Sequence, residues 1–260
     1  MSFTEWKILK PPVFIGLGNF VAMFKDKIFW LSLYNTAYYT FLGVPIYLVA
    51  SLLTALLLNR GSKSMPIYRT IYFMPSLTPA VANALLWVWI FHPDFGLANV
   101  ALYKLGLPAQ KWLFDAGLAK GCLIFMGLWG IGQTVVIFLA GLQGVPVELH
   151  EAAAIDGDSN QQRFWRLTLP MLSPTIFFNL VIGMISSFQV FATAFIATNG
   201  GPEDATLFYL LYLYRNAFQY FKMGYASALA WALCAIIMFF TWVQFRVARR
   251  LVYYEGEETR

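Results

Sequence analysis

The stretch Glu148-Leu-His-Glu-Ala-Ala-Ala-Ile-Asp-Gly-Asp-Ser-Asn-Gln-Gln-Arg-Phe-Trp-Arg-Leu-Thr-Leu-Pro170 is a polar insert in an otherwise apolar chain. Read physically, it is a helix–turn–helix. Pro146 suits a helix start, and Glu148 and Glu151 are favourable near the positive end of the helix dipole. Ala152, Ala153 and Ala154 have high helix propensity and side chains small enough for another protein to approach the backbone. Asp156-Gly157 ends the helix, the glycine supplying the left-handed conformation past the cap. A second helix follows, with Phe164, Trp165, Leu167 and Leu169 available to bury, until Pro170 and Pro174 restart the chain.

Outward from this insert the sequence is membrane-like. Of 260 residues, 59% are hydrophobic and only 12% charged, where a soluble domain carries about 25% charged residues. Asp, Glu, Lys and Arg are absent from five whole runs: Lys27 to Arg60, Arg69 to Asp94, Lys120 to Glu148, Arg166 to Glu203 and Lys222 to Arg246. Each exceeds the ~20 apolar residues that a helix needs to cross a bilayer core. The expected fold is therefore all-α, a polytopic transmembrane helical bundle with five spans: 30–58, 70–91, 121–142, 173–198 and 224–245. Residues 1–29 read as an extracytoplasmic amphipathic segment, 30–245 as the transmembrane domain with its polar loop at 143–172, and 246–260 as a tail. Residues 92–120, with Pro93, Pro108 and Trp112, fit a short interfacial helix, and 206–214 is too short to span and suits the membrane surface. Cys122 and Cys234 fall inside spans without metal-ligand spacing and read as small core residues. Asn83 and Asn179 suit hydrogen bonds between helices.

Charge sets the orientation. The net +5 matters less than its placement: Arg246, Arg249 and Arg250 follow the last span and put the C-terminus in the cytoplasm. The segments carrying Arg60, Lys63 and Arg69, and Arg163 and Arg166, are then also cytoplasmic. Five spans leave the N-terminus outside, although residues 1–27 hold four lysines and two acids.

The energy source follows by exclusion. Ion-driven transport needs ionisable groups at membrane depth, and the five runs contain no acid, lysine or central histidine. No Gly-x-x-x-x-Gly-Lys-[Ser/Thr] loop for nucleotide occurs. His92 and His150 are isolated, and no nucleophile–base pair has a plausible spacing, so catalysis is not expected. Work must enter through a partner, and the polar insert is where one can be touched.

The insert resembles a family. Glu151-Ala-Ala-x-x-Asp156-Gly157, followed by Leu167-x-Leu169-Pro170, is similar to the EAA loop of permeases in binding-protein-dependent ATP-binding-cassette importers. Phe14-Ile-Gly-Leu-Gly-Asn-Phe20, Phe29-Trp30, Asn35-Thr36, Thr198-Asn-Gly-Gly-Pro202 and Gly224-Tyr-Ala-Ser-Ala228 extend the likeness to carbohydrate permeases, in particular the subunit related to the larger maltose permease. The resemblance implies that Glu151, Ala152, Ala153, Asp156 and Gly157 form a coupling helix seated on an ATPase subunit. Asp158 departs from the pattern, which favours a small residue there. The resemblance also implies a related second permease, two ATPase subunits that hydrolyse the ATP (no cofactor in this chain), an extracytoplasmic solute-binding protein, a plasma-membrane location in a prokaryote and a sugar as substrate. Nucleic acid has no place in it. Family members begin with an extra span, which makes six the expected number for the intact protein.

A sugar path needs neutral hydrogen-bonding groups and an aromatic plate on one helix face. Met126, Trp129, Gly130 and Gln133 fall at i, i+3, i+4 and i+7. Gly183, Ser187 and Val190 fall at i, i+4 and i+7, with Gln189 adjacent. By the resemblance these positions correspond to the sugar site, Trp129 stacking and Gln133 and Ser187 bonding hydroxyls. Small and polar residues at this spacing also pack transmembrane helices, so both readings stand. A same-family permease for glycerol 3-phosphate or a polyol is the nearest alternative. An ion-coupled secondary transporter is the alternative from another class.

Overall fold

The computed structural model describes residues 1–7, 11–59 and 64–251, the side chains of 250 and 251 excepted. Arg60 and Lys63, invoked above for orientation, lie outside the described residues, as do Lys10, the Arg250 side chain and 252–260 of the tail.

Among the described residues the regular structure is helical apart from a hairpin of two-residue strands, β1 (Thr4–Glu5) against β2 (Val13–Phe14), and an isolated bridge between Lys7 and Lys222. The helices are α1 (Gly18–Lys25), α2 (Lys27–Leu58), α3 (Met65–Phe73), α4 (Ala80–Ile90), α5 (Leu97–Lys104), α6 (Ala119–Leu128) and α7 (Gly132–Gln143). They continue as α8 (Val147–Ile155), α9 (Asn160–Arg163), α10 (Leu169–Met171), α11 (Ser173–Phe188), α12 (Ala192–Ala197), α13 (Tyr209–Tyr214) and α14 (Met223–Leu251). Among the described residues two helices, α2 and α14, are long and apolar enough to cross a membrane, and the number reaches five when each of three bent helix pairs counts as one span.

The all-α polytopic reading holds, but three expected single helices are interrupted. The run at 70–91 is α3, a 3₁₀ turn at Met74–Leu77, and α4; Pro75 and Pro79 cannot donate helical hydrogen bonds. The run at 121–142 breaks between α6 and α7, and the run at 173–198 breaks between α11 and α12. The runs are apolar on both sides of each gap, so hydropathy alone does not show it. Conversely, α2 carries Pro45 without breaking.

The chain divides into two compact units. The first comprises 1–43, 78–127 and 184–240. Its centre is the segment 206–214, where Leu207, Phe208, Tyr209 and Leu211 are buried. Their backbone is held by polar groups of α2. Asn35 Nδ2 donates to the carbonyls of Asp204 at 2.9 Å and Leu207 at 3.2 Å, and the Tyr209 N–H donates to Thr36 Oγ1 at 2.8 Å. Buried backbone requires such partners, which explains the uncharged polar residues of the Asn35-Thr36 motif. The Tyr209 hydroxyl donates to the Leu229 carbonyl at 2.8 Å. Cys122 is buried as expected; Cys234 is exposed, contrary to the core reading.

The N-terminal hairpin is seated on Gly224 in the same unit. The Gly224 N–H donates to the Trp6 carbonyl at 3.2 Å, and a Cβ at this position would lie 2.0 Å from the Thr4 carbonyl oxygen. Gly224→Val must therefore expel the hairpin, with a cost in the ~1–3 kcal/mol range of overpacking. Hydrogen exchange at the amide of residue 224 is expected to accelerate accordingly; unchanged protection would contradict the seating.

The second unit comprises 44–77, 128–183 and 241–260. Ala55, Leu58, Val135, Phe138, Leu139, Leu142 and Leu172 form its core. Glycines bring its helices close, as small residues do in membranes. A Cβ on Gly132 would lie 2.5 Å from the Tyr72 carbonyl oxygen, and one on Gly141 2.7 Å from Thr175 Oγ1. Asn179 donates to the Thr175 carbonyl of its own helix at 3.0 Å, so its amide serves α11 rather than a neighbouring helix.

Candidate functional site

The insert at 147–171 folds as the sequence dictates and lies wholly in the second unit. Pro146 is the N-cap of α8 and Glu148 stands in its first turn, beside the helix's positive end. The C-terminus closes as a Schellman motif. The Asp158 N–H donates to the Ala153 carbonyl at 2.9 Å and the Gly157 N–H to the Ala154 carbonyl at 3.2 Å, the paired bonds that define this cap. Gly157 has φ +86° with nothing within 4 Å of a would-be Cβ. Glycine is required here by backbone conformation, not by space.

The second arm begins with a capping box that the sequence reading above does not include. The Gln162 N–H donates to Ser159 Oγ at 3.3 Å, and the Ser159 N–H donates to Gln162 Oε1 at 2.8 Å. Ser-x-x-Gln is its visible signature. The chain then widens into a π-helical turn at Phe164–Thr168 before α10. Pro170 has no N–H for an α-helical bond to the Arg166 carbonyl, consistent with that widening. The two arms are tied by Arg163, whose Nη1 donates to the His150 carbonyl at 3.4 Å and whose Nη2 donates to Asn160 Oδ1.

Asp158, the departure from the family pattern, is paired within the loop: Arg166 Nη1 lies 3.4 Å from its Oδ1. Its charge is partly satisfied internally rather than left for a partner. Exposed ion pairs contribute about 0–1 kcal/mol, so Asp158→Asn is expected to change stability by no more than that in thermal unfolding.

The loop carries apolar side chains that the described residues leave uncovered. No residue of α8 is buried. Val147 is 64% and Ile155 87% exposed, and Trp165 is also exposed; the expected burial of Trp165 is not realised. Glu151, Ala152, Asp156 and Gly157 are exposed and Ala153 is half-buried. Among the described residues no group of His, Cys, Asp and Glu could hold a metal.

The path residues are placed differently. Met126, Ser187, Gln189 and Val190 belong to the first unit; Trp129, Gly130, Gln133 and Gly183 belong to the second. Trp129 and Gly130 lie in the break between α6 and α7, and Gln189 and Val190 in the break after α11. Neither set therefore shares one face of one continuous helix. Met126 is buried at 1% exposure, while Trp129, Gly130, Gln133 and Gln189 are exposed. Ser187 Oγ is buried without a hydrogen-bond partner among the described residues. The room expected beside Gly183 is filled by Val44, whose Cγ1 would lie 3.3 Å from an added Cβ; that glycine packs helices.

Residues 15–253 match the family described as the binding-protein-dependent transport system inner membrane component. A probable ABC transporter permease protein of Bacillus subtilis (strain 168), YesP, is 42% identical over 99% of this chain and 85% of that one. The sulfoquinovosyl glycerol transport system permease protein SmoG of Agrobacterium fabrum is 34% identical, covering 92% and 78%. The sn-glycerol-3-phosphate transport system permease protein UgpA of Yersinia pestis bv. Antiqua (strain Antiqua) is 35% identical, covering 93% and 82%. The fold matches a chain of a bacterial ABC transporter that imports alginate, with TM-score 0.85, 24% identity and coverage of 92% and 85%. A helical, multi-spanning chain whose polar loop opens with a Schellman-capped helix thus belongs to the family of binding-protein-dependent transport system inner membrane components.

Proposed function

We propose that this permease subunit forms half of the translocation path of a sugar importer and receives its driving force through the loop at 148–170. The observation that carries the reading is α8 itself: a helix closed by a Schellman turn, whose Val147 and Ile155 are left exposed by the described residues. Its small residues Ala152 and Ala153 admit close approach, and the turn at Asp156-Gly157 fixes where the helix ends. An ATP-binding-cassette ATPase is the partner, one copy here and a second on a related permease subunit. The arginines of the tail favour a cytoplasmic C-terminus, which puts this loop on the ATPase side. The segment 199–222 then faces outward, towards the solute-binding protein.

ATP binding closes the ATPase dimer, moves the two coupling helices and switches the spans between outward and inward opening. The breaks at Trp129–Gly130 and at Gln189–Val190 each suit a path position in their own unit, because irregular backbone at membrane depth is tolerated where it lines a cavity. Trp129 offers a plate for a pyranose face, and Gln133, Ser187 and Gln189 offer neutral hydrogen bonds. Met126, Gly130 and Gly183 shape the surrounding packing. The relative named for sulfoquinovosyl glycerol transport supports a carbohydrate. The relative named for sn-glycerol 3-phosphate favours a polyol phosphate as second reading, although a phosphate calls for Arg or Lys and the path positions hold neither.

The test is uptake by the reconstituted importer with ATP inside and all proton and sodium gradients collapsed by ionophores. Uptake is expected to persist at an unchanged rate. Its loss would sink the ATP-driven reading in favour of ion coupling.

A further inference from the structure

A cavity of about 530 Å³ lies in the first unit, where the N-terminal hairpin, α1, α13 and the start of α14 meet. It is remote in sequence from the path positions, and nothing above gives it a role. Its size falls within the roughly 300–1,000 Å³ of small-molecule sites. We propose that this cavity is a second carbohydrate subsite, holding one neutral sugar ring at the outer mouth of the permease. The proposal rests on the sugar-importer reading above.

The polar lining is built, not incidental. Asn19 and Asn216, only 7% and 2% exposed, both line the cavity. Their amide nitrogens are used internally: Asn19 Nδ2 donates to the carbonyls of Ser2 at 2.8 Å and Thr4 at 2.9 Å, and Asn216 Nδ2 to that of Tyr212 at 2.9 Å. These bonds fix each amide, and neither Oδ1 accepts a hydrogen bond among the described residues. Neither oxygen is sealed from solvent, so both acceptors are open to a donor that enters the cavity.

Beside them, Tyr212 and Tyr225 both donate their hydroxyl protons to Asp26 Oδ2, the latter at 2.8 Å. Burial raises the Asp26 carboxyl, but the two tyrosines and the backbone N–H groups of Ile28 and Phe29 outweigh it and hold the group ionised below the usual carboxylate range. Lys222 supplies a donor, and half-buried Trp6 a flat ring.

The ligand class follows from this balance. Glu5 and Asp26 offset Lys7 and Lys222, so the cavity carries no net charge. Acceptors predominate, and a phosphate would set its oxygens against them. A sugar hydroxyl both donates and accepts, and a pyranose face stacks on an indole. A neutral hexose satisfies all of these groups together.

The test is saturation-transfer NMR on the assembled, nucleotide-free importer in nanodiscs, with the methyl glycosides of glucose, galactose and rhamnose and with sn-glycerol 3-phosphate as probes. At least one glycoside is expected to receive saturation on its ring protons. Trp6→Ala is expected to raise its dissociation constant roughly tenfold, the upper worth of one aromatic contact. Lys222→Ala, at an exposed position, is expected to weaken it in the same direction. Three results each overturn the proposal: no saturation of any glycoside, glycoside binding indifferent to both substitutions, or tighter binding of the phosphate with the same sensitivity. Because no ATP is present, failure here leaves the uptake test of the importer reading untouched, and failure there leaves this binding readout intact.

Discussion

Gly157→Pro is expected to abolish ATP-driven uptake while leaving the chain inserted in the membrane at its normal level. Proline holds φ near −65°, whereas residue 157 has φ +86°. The substitution also removes the N–H that donates to the Ala154 carbonyl at 3.2 Å. The Schellman closure cannot form, α8 frays, and the two arms lose their fixed angle. Insertion depends on the apolar spans, which the change does not touch. Gly157→Ala is the graded control: open space surrounds the position, so only the left-handed backbone is penalised, by about 1 kcal/mol. Uptake in that variant is expected to fall partially, and uptake assays beside membrane-fraction immunoblots separate the two effects. Normal transport by Gly157→Pro would count against any coupling role for the loop.

Ile155→Asp separates docking from folding. Ile155 is 87% exposed at the last turn of α8, so the chain alone loses almost no burial, and its thermal unfolding is expected to shift by less than about 0.5 kcal/mol, as for other surface changes. The proposed docking puts the same side chain in an apolar contact with the ATPase. A buried carboxylate there is costly, and a hot-spot loss of about 2 kcal/mol weakens co-assembly with the ATPase on the order of 30-fold. Titrating purified ATPase onto the variant permease in nanodiscs reads this directly. Equal affinity for both forms would show that the exposed side of α8 faces lipid or solvent.

How far the sequence could be read depended on whether a feature is local. Gly157 was legible because a left-handed cap makes a local demand that few residues meet, and the geometry at 153–158 satisfies that demand bond for bond. The Ser159–Gln162 box is equally local, and its pattern stands in the sequence. The spans were legible from composition. Their interruptions at 129–131 and 189–191 were not, because a break between two apolar halves leaves hydropathy unchanged. The burial of Tyr209 was also hidden: it depends on Thr36, 173 residues away, and no periodicity in 206–214 carries that information. Gly183 shows the limit for the path. Its spacing fits a sugar site and a helix contact alike, and only the proximity of Val44 points to the second.

The most direct test of the coupling role is proximity. A photo-crosslinking amino acid placed at Ile155 in the assembled importer, irradiated with and without ATP, is expected to label the ATPase subunit in high yield, with a yield that changes on nucleotide binding. Labelling confined to lipid, to the companion permease or to the solute-binding protein would contradict the assignment of this helix as the point where work enters the chain.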